Sequence, residues 1–296
     1  VPRRIRRLAA LSTLVISSGV IAAIAAIGAG GVGAAQAAAL KLPQVGGAII
    51  KDSNQAALRA LTGRNGVESE NWSGYAVTPT GGNVTGVSST FVVPAAGDDL
   101  PGEASTWAGI GGYSSSDLIQ AGVAESSFPN LPLLGDQYYA WYELLPASPV
   151  QLTGCNGDAS CTVTPGDQIA VTITQNTNPA NSWTISMTDA GKWTWTDDNI
   201  SYTSTNSSAE WILESPTLEV SPITLAGVGT VHFGPYSSFT IGHGSPKSIA
   251  EGNPISIGMT LLGLGILQEA TPSALASDGQ GFNDCAYASS CAAPTS

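Results

Sequence analysis

Residues 168–196 read QIAVTITQNTNPANSWTISMTDAGKWTWT, and the rhythm of this stretch decides the fold. Val171-Thr172-Ile173-Thr174 alternates apolar and polar positions, as do Trp183-Thr184-Ile185-Ser186-Met187-Thr188 and Trp193-Thr194-Trp195-Thr196. A period of two sends successive side chains to opposite faces of a strand, one toward a core and one toward water. The interruptions are rich in Asn, Pro, Asp and Gly, the residues of turns.

The same texture extends outward from Ser69 to the C-terminus. Short runs rich in Val, Ile, Thr, Tyr and Trp are separated by Gly, Pro, Asn, Asp and Ser. Besides Gln168–Gln175 and Ser182–Asp189, strands are expected at Gly74–Thr78, Val84–Val93, Ala104–Ile110, Leu118–Ala124, Tyr138–Leu145, Glu210–Leu213, Thr230–Thr240, Ile255–Leu261 and Gly281–Ala286. This zone holds no amphipathic helix of ten residues and no internal repeat. So many short strands at this spacing imply an all-β sandwich or barrel.

Two further zones precede it. Arg3, Arg4, Arg6 and Arg7 lead an apolar stretch from Leu8 to Ile27, and Ala35-Gln36-Ala37 offers a small-x-small cleavage pattern. Residues 1–37 therefore read as a secretory signal peptide. A secreted, extracellular protein is expected, free of the membrane after cleavage. Residues 38–68 carry Lys41, Lys51, Arg59 and Arg64 and a short helical run, Ser53 to Leu61. This basic segment reads as a propeptide or linker. The β domain is expected to span 69–296.

Charge is distributed very unevenly. The whole chain has 10 basic and 22 acidic residues. From Ser69 onward only Lys192 and Lys247 face 20 carboxylates, a balance of −18. Such a surface repels nucleic acid, anionic membranes and itself, so a monomer is expected. Because carboxyls titrate near ~4, acid removes the repulsion. A protein adapted to acid, stabilised at neutral pH by screening salt, is the expectation.

Four cysteines occur as Cys155/Cys161 and Cys285/Cys291, and two local disulfides are the simplest of three pairings. Common catalytic schemes fail one by one. The two histidines, His232 and His243, lie far from the cysteines, and no His-Glu-x-x-His helix or paired Cys-x-x-Cys spacing offers a metal site. No Gly-x-Ser-x-Gly elbow and no phosphate loop occurs. No metal or cofactor is expected. What remains is carboxylate chemistry, with an amide as candidate partner.

Asn71-Trp72-Ser73-Gly74-Tyr75, Thr106-Trp107-Ala108-Gly109-Ile110-Gly111-Gly112, Leu118-Ile119-Gln120-Ala121-Gly122-Val123, Tyr139-Ala140-Trp141-Tyr142-Glu143 and Ala209-Glu210-Trp211-Ile212-Leu213-Glu214 occur in this order. Together they resemble the glutamic peptidase (eqolisin) family, from about residue 70 to the C-terminus. The resemblance implies an antiparallel β-sandwich of two packed sheets and an endopeptidase acting on polypeptides. It implies catalysis by Gln120 and Glu214, with Glu210 the first glutamate of the last motif. It also implies a substrate cleft lined by Trp72, Trp107 and Glu143. Two positions depart from the family pattern: Gly111 stands where Asp is usual, and Leu144 replaces a second Trp after Glu143. The departures leave an inactive family member open. The strand pattern and the carboxylates also admit a carbohydrate-binding sandwich, or a glycosidase using Glu143 and Glu214. Asn71-Trp72-Ser73 has in addition the form of a glycosylation acceptor.

The pair has a physical rationale of its own. A carboxylate can take the proton of an attacking water and deliver it to the leaving nitrogen. A glutamine amide does not titrate, so it offers an N–H to the developing oxyanion at any pH.

Overall fold

The computed structural model describes residues 66–97, 102–127, 136–218, 221–222, 224–261 and 267–295. The expected signal peptide, and the basic segment up to residue 65, lie outside the described residues. In chain order the strands are β1 (Gly66–Ser69), β2 (Trp72–Val77), β3 (Val84–Val92), β4 (Gly102–Gly111), β5 (Leu118–Ser127), β6 (Gln137–Leu144) and β7 (Val150–Gln151). Next come β8 (Gln168–Gln175), β9 (Ser182–Asp189), β10 (Trp193–Ser201), β11 (Ala209–Glu214), β12 (Thr217–Leu218), β13 (Ser221–Pro222) and β14 (Thr230–Phe233). The last are β15 (Ser238–Ile241), β16 (Lys247–Ser248), β17 (Ile255–Thr260), β18 (Gln268–Pro272) and β19 (Phe282–Ala286). Among the described residues no helix is long and apolar enough to cross a membrane.

The strands form two layers, the expected all-β sandwich. One sheet runs β7-β6-β5-β4-β11-β2-β17, antiparallel throughout, and β17 also carries β1 in parallel. The other runs β10-β9-β8-β3, with β14 and β15 following one another along β3, β19 beside β14 and β16 beside β15. Strand β18 pairs with both β17 and β19 and joins the layers. β3 lies over β4 and β11, and β8 over β4 and β5.

Between the layers the alternating apolar residues meet. Val171, Ile173, Trp183, Ile185 and Met187 pack against Ala108, Ile110, Ile119, Ala121, Val123 and Trp211. Trp211 lies between the sheets and donates its indole N–H to the Ser88 carbonyl of β3 at 2.8 Å. The opposite faces of β8 and β9 carry exposed or half-buried Thr172, Thr174, Thr184, Ser186 and Thr188. One face dry and one wet is what the period-two pattern encodes.

The structure corrects the expected single strand Thr230–Thr240. It is two strands, β14 and β15, broken by Gly234-Pro235. Gly234 has φ +102°, a region closed to most side chains, and Pro235 has no N–H to give a ladder. Strands β1 and β18, and the two-residue strands β7, β12, β13 and β16, come in addition to the expected set. β1 begins at Gly66, so the last residues of the basic segment already belong to the first sheet. Both disulfides are local: Cys155–Cys161 and Cys285–Cys291, with Cα atoms 5.4 and 5.6 Å apart.

Candidate active site

The first sheet is packed on both faces. The face turned away from the second sheet carries a core of its own, which includes Trp72, Trp107, Leu118, Trp141 and Ile212. Val67 belongs to it, and Tyr113, Tyr139, Leu145 and Ile255 pack against it. Alternation along the strands sends Gln120, Glu143, Glu214, Trp72 and Trp107 all to this outer face.

Register arranges them in rows across the strands. The first row is Glu143, Gln120, Gly109, Glu210 and Ala76. The next is Trp141, Gly122, Trp107, Ile212 and Gly74, and the third is Tyr139, Ala124, Ser105, Glu214 and Trp72. Gly122 is required here: a Cβ would lie 2.2 Å from the Thr106 carbonyl oxygen and 2.5 Å from the Trp107 Cβ. The glycine lets the Trp107 ring settle between the first and third rows.

Gln120 and Glu143, cross-strand partners, are both fully buried, and the Gln120 Nε2 donates to Glu143 Oε2 at 2.8 Å. Burial pushes the Glu143 carboxyl up to about 8, offset in part by that hydrogen bond. Glu214 accepts from the Trp107 indole N–H at 2.8 Å on one oxygen and from the Asn71 amide at 3.3 Å on the other. Asn71 is itself fixed. Ser69 Oγ donates to Asn71 Oδ1 at 3.1 Å and accepts from the backbone N–H groups of Asn71 and Trp72. Trp72 packs edge-on against Trp107, with ring centroids 4.9 Å apart.

Glu210 shares the row of Gln120, separated from it by Gly109. It is fully buried, neither of its oxygens has a well-formed hydrogen bond, and burial raises its carboxyl well above the usual range. The nearby Ser208 hydroxyl and Tyr113 amide offset this only in part. Other unpartnered buried polar atoms share this face: Trp141 Nε1, Ser105 Oγ and Glu143 Oε1. Among the described residues no group of three or more His, Cys, Asp or Glu is placed to hold a metal ion.

The expected site residues thus fall into two hydrogen-bonded groups on one face: Gln120 with Glu143, and Glu214 with Trp107 and Asn71. The motifs give no role to Asn71, Ser105 or Glu210. Parity across paired strands reveals Ser105 and Glu210, and the hydrogen bond to Glu214 reveals Asn71, which stands just ahead of β2. Asn71 is fully buried and donates to Glu214, which removes it as a glycosylation acceptor. Trp72, Trp107 and Trp141 are fully buried as well, so none offers the open ring face that sugar stacking needs.

Both departures acquire a structural reason. Leu144 points to the inter-sheet side and packs against that core, so it does not reach the outer face. Gly111 has φ +91°, and a Cβ there would lie 2.5 Å from the Asp117 carbonyl oxygen and 3.1 Å from its Oδ2. Asp117 occupies the space that a side chain at 111 would enter. It accepts hydrogen bonds from Ser204 and Thr205, and these hold its carboxyl below the usual range despite partial burial.

Residues 70–259 match the sequence profile of the Peptidase A4 family. No curated protein matches the chain significantly. Among solved structures, a scytalido-glutamic peptidase with a transition-state analog inhibitor is similar at 19% identity and a TM-score of 0.57. The match covers 73% of this chain and 98% of that one. SCP-B, an eqolisin family member in complex with the tripeptide Ala-Ile-His, is similar at 18% identity and a TM-score of 0.55, with the same coverage. At these identities the structures speak for the fold.

Proposed function

Because this chain belongs to the peptidase A4 family of glutamic endopeptidases, we propose that it is secreted and hydrolyses polypeptides in acid, with Glu214 as general base and Gln120 as oxyanion donor. The observation that carries this reading is the set of buried polar atoms without partners around these two residues on one sheet face. Buried polar groups are nearly always satisfied. A polypeptide brings one donor and one acceptor per residue, which is what such a face would pair with.

In this mechanism the Glu214 carboxylate takes a proton from a water as the water's oxygen attacks the scissile carbonyl. One Gln120 N–H is engaged by Glu143, and its second N–H donates to the oxygen as that becomes an oxyanion. Glu214 then returns the proton to the departing nitrogen, and acid and amine products separate. Glu143, kept neutral in acid by burial, still accepts through its carbonyl oxygen and fixes the orientation of the Gln120 amide. The direct test is cleavage of a denatured protein at pH 3–5 by the purified enzyme. Internal cuts insensitive to chelators, serine reagents and thiol reagents are expected. An exclusively terminal release of residues, or inhibition by a chelator, overturns the reading.

Trp107 has a distinct place in this scheme. Its indole N–H holds one Glu214 oxygen. Trp107→Phe keeps an aromatic ring in the row and removes the donor, so kcat is expected to fall about tenfold, the worth of one charged hydrogen bond. A kcat within twofold of wild type would show that Glu214 needs no such anchor.

We assign the part of the basic segment ahead of β1, residues 38–65, to a propeptide that is removed before the first strand. Gly66–Ser69 pair with β17, and Ser69 holds Asn71, which holds Glu214. N-terminal sequencing of the acid-activated form is expected to start at or before Gly66. A fully active form that starts beyond Ser69 would contradict this chain of contacts. Two local disulfides are compatible with export to an oxidising compartment.

A further inference from the structure

Ser105 is the direct cross-strand partner of Glu214 in the β4–β11 pair. Directly opposed residues bring their Cβ atoms to ~4.5–5.5 Å, a span that one water can bridge. The Ser105 side chain is fully buried, and its hydroxyl has no hydrogen-bond partner. On its other side in the row stands Ala124, which offers only a methyl group. Leaving a buried hydroxyl bare costs stability, so one retained beside a general base points to a ligand that satisfies it.

We propose that Ser105 positions the water that attacks the peptide bond. The proposal rests on the reading of Glu214 as general base. The water donates one hydrogen to Glu214 and the other to Ser105 Oγ, which turns its lone pair toward the scissile carbonyl. As the new C–O bond forms, the first hydrogen passes to Glu214 as a proton. Ser105 keeps its own hydrogen throughout, so it orients and does not titrate. Trp107 and Asn71 meanwhile hold the Glu214 oxygens, and the carboxylate has a fixed bearing on the water.

This role has a test that a structural serine would fail. Ser105→Ala removes a hydroxyl that has no partner in the free protein, so the melting temperature is expected to stay equal or rise. In the same variant kcat is expected to fall about tenfold, with KM within twofold of wild type, the pattern of an interaction made in the transition state. A structural serine would show the reverse, a lower melting temperature and an unchanged kcat. A kcat within twofold of wild type, or a rate loss carried by KM alone, overturns the proposal. Glu214→Gln measured alongside separates the two readings. Residual activity near wild type in Glu214→Gln removes the general base, and the Ser105 role with it. A dead Glu214→Gln beside a fully active Ser105→Ala removes only the role of Ser105.

Discussion

Glu214→Gln is expected to lose about 10²–10⁴ in kcat, the range that a positioned acid–base group supplies, while the protein stays folded. The amide matches the carboxylate in size, and its carbonyl oxygen still accepts from the Trp107 indole N–H. What it cannot do is take a proton from water. Gln120→Met, which preserves volume, is expected to lose about 10²–10³, the cost of one oxyanion donor, and it leaves Glu143 without its partner. The double variant is expected to fall little below the worse single one, because groups that act as a unit do not add. Single-turnover cleavage of an unfolded substrate at pH 4, with melting temperatures for each variant, provides the measurement. A folded Glu214→Gln that works within tenfold of wild type would refute the assignment.

The second large effect is on stability. The melting temperature is expected to be highest near pH 4 and to fall by more than 10 °C toward pH 8. Burial raises Glu103 to about 7 and Glu143 and Asp284 to about 8, and lifts Glu125 and Glu210 well above the ordinary range. A group raised in the folded state adds stability that is complete below its unfolded pKa. That stability is lost as pH rises through the folded value. The window therefore runs from about 4 to about 8. Asp284 alone, raised from 3.8 to about 8 in full burial, accounts for something on the order of 5 kcal/mol at ~1.36 kcal/mol per unit. In a domain of this size that corresponds to roughly 10–20 °C. Asp117 and Asp167 shift downward. Their contribution is present above the unfolded value near ~4 and is lost below it, which bounds the stable range on the acid side. Asp284→Asn, whose amide oxygen can still accept from Ser73, is expected to flatten the neutral limb. Melts from pH 3 to 8 decide the matter, and a curve flat or rising between pH 4 and 7 would contradict it.

The sequence leads to the same expectation of acid stability but assigns it a different cause. A tally of charges sees 20 carboxylates against two lysines after residue 68 and infers repulsion at the surface, which salt would screen. Glu125, Glu143, Glu210 and Asp284 are fully buried, where screening is weak, so added salt is expected to restore little stability at pH 7. Burial of a carboxylate cannot be read from composition. It depends on which face of which strand the residue occupies, and on what covers that face.

The same limit governs the fold and the site. Strands β8 and β9 are legible to the residue because one face is dry and the other wet. β5, buried along its whole length, reads as an apolar run with no period, and its expected end at Ala124 falls three residues short. β1 overlaps the end of the basic segment, and its parallel pairing with β17 leaves no local trace. The resemblance of motifs brings Gln120, Glu143 and Glu214 forward. The places of Asn71, Ser105 and Glu210 become visible only when partners about a hundred residues or more apart in sequence are set side by side.

That distance has a consequence for the life of the chain. Glu214 stands on β11, wedged between β2 and β4, while Gln120 stands two strands away on β5. As the chain leaves the ribosome, the strands bearing Trp72, Trp107, Gln120 and Glu143 all emerge before β11. Until β11 inserts, β2 and β4 have no common neighbour and the two halves of the site have no frame between them. On the assignment proposed above, an unfinished or half-folded chain would hold the Gln120 amide without the Glu214 carboxylate. Such a chain is expected to cleave neither itself nor its neighbours at the moment when unfolded polypeptide is most abundant around it.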